Sequence, residues 1–201
     1  MSAAFWDRVA ERYAARPVGD EAAYEAALAR VRHWLGPEMR VLELGCGTGM
    51  TAEKLAGSVL SLEGTDFSPE MIRIAEARRT AGNLRFSCAP AETALAGGPY
   101  DAVLAFNLLH LLDDLPGCLS RVHGALADGG LLISKTPCLG AKWYLWPVIR
   151  LLQSLGKLPR FRFLRPGALE AAVRAGGFEI VETGDYPRKL PGRLIVARKM
   201  R

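Results

Sequence analysis

Residues 40–57 constrain the fold more than any other stretch. Arg40-Val-Leu-Glu-Leu44 reads as a short, largely apolar strand, and it runs straight into Gly45-Cys-Gly47-Thr-Gly49. Residues 49–57 then suit a helix. A buried strand that turns through glycines into a helix opens a βα unit, because parallel strands need a crossover between them.

The same alternation continues along the chain. Strands are expected at Val59–Thr65, Leu84–Cys88, Asp101–Phe106 and Leu131–Lys135. Asp101–Phe106 is apolar nearly throughout, as a strand covered on both faces should be. Helices are expected from Ser68-Pro69-Glu70 onward, at Leu115–Leu126 and at 166–176, with Ser68 as an N-cap and Pro69 in the first turn. Upstream, residues 3–14 and 20–35 carry apolar residues at helical spacing, with Pro17 and Gly19 between them and Asp20 able to cap the second. The last two strands, Phe178–Glu182 and Arg193–Arg198, have no helix between them, so one must run antiparallel. The pattern predicts a doubly wound α/β fold, with a seven-stranded, mostly parallel sheet and one antiparallel strand. A single domain spans 1–201, with a helical cap over about 1–36 and a lid insertion over about 140–165.

Composition excludes several alternatives. A chain of 201 residues with 50% hydrophobic and 23% charged residues can bury a core without metals or disulfides. Cys46, Cys88, Cys118 and Cys138 are scattered with no C-x-x-C pair, so no metal site is expected and free thiols are. Charge begins at Asp7 and no run reaches spanning length, which points to a cytoplasmic protein without a transmembrane segment. The net charge is +5, carried largely by Lys157–Arg165 and the tail from Arg188. The excess is small and divided, so a solvated surface is expected and nucleic acid is not; transient contact with a membrane surface stays open. Monomer and homodimer are equally compatible with the sequence.

In an open α/β sheet, ligands bind beyond the carboxyl ends of the strands, where strand order reverses. A dinucleotide fingerprint needs its third glycine at position 50, where Met50 stands; here it is Gly49. Glu43 precedes the first glycine by two residues, badly placed for a pyrophosphate but well placed for a ligand carrying an ammonium and a sulfonium. Asp66 ends the second strand, where a carboxylate can accept both ribose hydroxyls. The turn therefore asks for a ribose and a cation and shows no preference for phosphate.

On these residues the chain resembles the class I S-adenosylmethionine-dependent methyltransferases. The resemblance rests on Val41–Gly49, Gly64–Met71, Tyr100–Leu112, Asp128–Ser134 and Ala175–Phe178 in order and spacing. Phe5-Trp-Asp7 and Asn107-Leu-Leu-His110 add a likeness to the quinone-biosynthesis-like branch. The resemblance implies a Rossmann-like fold, S-adenosyl-L-methionine as cofactor and S-adenosyl-L-homocysteine as product. It implies that Gly45, Cys46, Gly47 and Gly49 line the methionine half, Glu43 orients the amino group, and Asp66 holds the ribose. Phe67 and Met71 would flank the adenine, Asn107 and Leu108 would meet the methionine moiety, and Tyr13 would close over the cofactor. Related chains often carry an acid after the third strand; Pro90 stands there, so Ala91 or Glu92 would have to substitute.

Methyl transfer to a small, apolar or aromatic acceptor, on oxygen or carbon, is the function expected. His110 is the candidate general base, on the turn after the fourth strand; the other reading is local packing or a hydrogen bond to Asp113 or Asp114. Cys138, Trp143 and Tyr144, with His110, are the candidate acceptor contacts. An RNA or protein acceptor, or a noncatalytic cofactor-binding module, are the competing readings.

Overall fold

The computed structural model describes residues 3–187 and 192–200. Two helices come first, α1 (Ala3–Ala14) and α2 (Glu21–Trp34); the Asp20 side chain accepts from Ala23 N–H and caps the second. Then follow β1 (Arg40–Leu44), α3 (Met50–Ala56), β2 (Ser61–Asp66), α4 (Pro69–Arg78) and β3 (Leu84–Cys88). The chain continues through α5 (Ala91–Ala94), β4 (Tyr100–Phe106), α6 (Leu115–Ala125) and β5 (Leu126–Pro137). It ends with α7 (Trp146–Ser154), α8 (Pro166–Ala175), β6 (Phe178–Asp185) and β7 (Gly192–Lys199).

The seven strands lie in the order β3-β2-β1-β4-β5-β7-β6. Pairing is parallel from β3 through β5, and β7 is antiparallel to both neighbours. The order reverses between β1 and β4, so the crevice of the doubly wound sheet opens at their carboxyl ends.

The period-2 alternation of β1 feeds two cores. Leu42 and Leu44 face one layer with Leu115, Leu119 and Val122 of α6 and Leu169 and Val173 of α8. Val41 faces the other, with Leu28 and Val31 of α2 and Leu55 of α3. The N-terminal helix is tied down by polar contacts to α4. Ser68 Oγ donates to Asp7 Oδ1 at 2.5 Å, and Arg73 pairs with Glu11 of α1 and, at 2.9 Å, with Glu70.

Three sequence expectations change. Strand β5 begins at Leu126 rather than Leu131, because Tyr100 already pairs with Leu126 across a register shift and Gly129-Gly130 lie within the strand. The short helix α5 is new: Pro90 starts a single turn too brief for periodicity to reveal. In the insertion, α7 forms with Pro147 in its first turn, but none of its residues is buried. Residues 188–191 and 201 of the basic tail lie outside the described residues. No described helix is long and apolar enough to cross a membrane.

Candidate active site

The turn after β1 holds Gly45, Gly47 and Gly49 at positive φ of 65°, 54° and 74°. Two of these glycines are also enforced by packing. A Cβ on Gly45 would stand 2.9 Å from Leu108 Cδ1, and one on Gly49 2.6 Å from Phe86 Cζ and 2.9 Å from Ala75 Cβ. The spacing of the three glycines is thus a backbone requirement of the fold.

Asp66 is fixed by that turn. Its Oδ2 accepts Gly47 N–H at 3.0 Å and its Oδ1 accepts Ser68 N–H at 3.0 Å. Burial pushes its carboxyl up, and the backbone donors Ser68, Gly47 and Phe67 pull it back. Glu43, 2% exposed beneath the turn, has no such donor among the described residues. Its Oε2 is buried without a partner. Desolvation, with the Asp66 charge as a smaller cause, pushes it up to about 8. An orphaned carboxyl under a glycine turn suits a ligand that brings its own cation.

Two cavities open around the turn. The smaller, about 230 Å³, is lined by Gly45, Asp66, Phe67, Ala91, Glu92 and Leu108, together with Ala89, Pro90 and Leu112–Asp114. The larger, about 990 Å³, lies over the carboxyl ends of β4 and β5, lined by Cys46, Thr48, Asn107, Lys135, Pro137 and Leu139, and roofed by Tyr13 and the loop 16–20 before α2. Tyr13 Cε1 comes within 4.0 Å of where a Cβ on Gly47 would be, so the ring covers the turn. Asn107 holds φ 53°, a left-handed conformation uncommon outside glycine, and its N–H bonds Lys135 O at 2.8 Å.

A family model described as a methyltransferase domain matches residues 13–183. The chain belongs to the class I S-adenosylmethionine-dependent methyltransferases. Its cofactor is S-adenosyl-L-methionine. A ubiquinone biosynthesis O-methyltransferase of Methylobacterium sp. is 28% identical over 177 residues, spanning 82% of this chain and 71% of that one. A malonyl-[acyl-carrier protein] O-methyltransferase of Bacillus cytotoxicus is 34% identical over 100 residues, spanning 49% and 35%. Magnesium protoporphyrin IX methyltransferase from Synechocystis PCC 6803, solved with bound S-adenosylhomocysteine, superimposes with a TM-score of 0.72 at 18% identity, covering 98% of this chain and 93% of that one; it shows the shared fold.

Several expected acceptor contacts of this methyltransferase lie elsewhere. His110 lines neither cavity: its ring packs on Phe161 at 5.7 Å and its carbonyl accepts Arg162 N–H at 2.7 Å. Its Nδ1 is buried with no partner, Asp113 and Asp114 included, and desolvation depresses the ring to about 4. Cys138 is fully buried in the α6–α8 core, since β5 carries it past the cavity floor. Trp143 and Tyr144 are 72% and 57% exposed and face solvent, because the insertion packs Trp146 on Phe163 at 4.7 Å instead of closing on the cavities. Met71 is 1% exposed and lines neither cavity.

Sequence reasoning missed Lys135, Tyr24 and the loop 16–20 as cavity residues. A charged residue ending the apolar run Leu131–Ser134 was the available signal for Lys135. The loop had none, because its place over the sheet follows from α1 docking on α4.

Proposed function

We propose that this methyltransferase alkylates an oxygen of a small acceptor with an apolar or aromatic body, held in the larger cavity. The observation that carries the reading is that two cavities flank the glycine turn, with Gly45 lining one and Cys46 the other. A nucleoside-sized recess beside Asp66 and Phe67 lies on one side of the turn, and an acceptor-sized space beside Cys46 and Asn107 on the other. Oxygen is preferred over carbon because the related chains of Methylobacterium and Bacillus are O-methyltransferases by name.

In this reading Asp66 accepts from the ribose hydroxyls with the lone pairs that Gly47 and Ser68 leave free. Glu43 balances the ammonium from below the turn. Phe67 lies along the adenine, with Ala91 and Glu92 at its amino edge. Asn107 and Leu108 bound the methionine moiety, and Tyr13 shuts water out above Gly47. The cofactor supplies a methyl carbon already activated by its sulfonium. The chain contributes position, for which well-oriented displacement gains about 7–11 kcal/mol.

Incubation with methyl-labelled S-adenosylmethionine and a panel of phenols and carboxylic acids tests the proposal. Mass spectrometry should locate the label on oxygen, and Asp66→Ala should cut kcat/KM for the cofactor about tenfold or more. Label on carbon would overturn the oxygen assignment. Wild-type kinetics in Asp66→Ala would overturn the ribose assignment.

A further inference from the structure

Lys135 is the feature of the larger cavity that the reaction as described does not use. It ends the buried run of β5, opposite Phe106 of β4, and its carbonyl anchors Asn107 N–H at 2.8 Å. Its side chain enters the cavity, where the Tyr24 ring centroid lies 5.9 Å from Nζ. Among the described residues no carboxylate pairs with that ammonium and no side-chain hydrogen bond reaches it. Asp20, exposed on the loop before α2 and part of the same lining, acts on it electrostatically without an ion pair. The other cations of the lining are Arg16 and Arg78, and Arg78 is committed to Thr48 O at 2.9 Å. Tyr24 is held by Thr51 Oγ1 at 3.1 Å, and Tyr186 faces the same space from the end of β6. The lining therefore carries three cations, Lys135, Arg16 and Arg78, against one acid, Asp20, and is cationic on balance.

We propose that Lys135 is the counter-charge for an acceptor that enters the larger cavity as an oxyanion, a carboxylate or an ionised phenol, and is methylated on that oxygen. The inference rests on the methyltransfer reading above and names the acceptor's class. A half-buried ammonium costs free energy until an opposite charge meets it. Burial depresses Lys135 below the ordinary lysine range, and Asp20 only partly restores it. An arriving oxyanion would offset that cost and take a charge-assisted hydrogen bond.

The chemistry then needs no base. The acceptor oxygen forms the new C–O bond as the methyl–sulfur bond breaks, the electron pair of that bond stays on sulfur, and no proton is released. The position of His110 outside both cavities is consistent with this. The product ester or ether is neutral at that oxygen and loses its attraction to Lys135, which favours release.

The test uses the protein saturated with S-adenosylhomocysteine and calorimetric titration with 4-hydroxybenzoate, cinnamate and octanoate, each beside its primary amide. The acids should bind the wild type about tenfold or more tightly than the amides. Lys135→Met should abolish that preference, Lys135→Arg should retain most of it, and both should bind S-adenosylhomocysteine like the wild type. Equal binding of acids and amides, survival of the preference in Lys135→Met, or no acid binding at millimolar concentration would each overturn the proposal. Failure of S-adenosylhomocysteine to bind the wild type would instead overturn the methyltransfer reading on which it rests.

Discussion

Glu43 occupies a position on the α2–α3 face of β1 that a core residue would otherwise fill, and its cost shows in its titration. With the carboxyl raised to about 8 from 4.5, the folded chain holds a proton that the unfolded chain has lost. Stability from this group is therefore present below pH 4.5 and falls as pH rises toward 8, by up to about 1.4 kcal/mol per pH unit. Glu43→Gln should flatten that slope in urea titrations of the ligand-free protein, and an unchanged slope would place the dependence elsewhere. His110 acts with the opposite sign. Its ring is neutral in the fold down to about pH 4, whereas the unfolded chain protonates near 6.5, so stability is lost as pH falls through that window. His110→Phe should remove this acid sensitivity and leave turnover near wild type. A turnover loss of a hundredfold or more would return His110 to the reaction.

At the scale of elements, Ser68 joins two contacts whose meaning differs. Its Oγ accepts Met71 N–H at 3.2 Å as the N-cap of α4 and donates to Asp7 of α1. Ser68→Ala should cost about 1–2 kcal/mol in global stability. Because α1 carries Tyr13 over the glycine turn, it should also weaken cofactor binding, and a stability loss with unchanged affinity would separate the cap from the site. The cap on α4 was legible in Ser68-Pro69-Glu70, as was the one antiparallel strand, from the missing helix between the last two strands. Its place between β5 and β6 was not, since strand order depends on pairing between residues distant in sequence. The early start of β5 was hidden by Gly129-Gly130, a pair that reads as a turn and sits in the register shift between Leu126 and Leu131, where the strand is interrupted as a ladder but continues.

For the whole molecule, the sequence revealed one half of the site better than the other. The glycine turn, Glu43 and Asp66 follow from local spacing on β1 and β2, and the fold brings them together as that spacing implies. The larger cavity, proposed for the acceptor, draws on segments far apart in sequence, among them the loop 16–20, Tyr24, the end of β5 and the end of β6, and no local pattern announces it. In the apolar insertion, Trp146 packs with Phe163 and Phe161 with His110, while Trp143, Tyr144, Val148, Leu151 and Leu155 face solvent. In the proposed reading the turn and the two cavities form one cofactor and acceptor site. Calorimetric titration with S-adenosylmethionine, S-adenosylhomocysteine and NAD, on wild type and Asp66→Ala, tests it most directly. The account predicts micromolar binding of both adenosyl ligands, none of NAD, and about tenfold or greater weakening in Asp66→Ala. Failure of both adenosyl ligands on folded protein, or binding indifferent to Asp66, would contradict it.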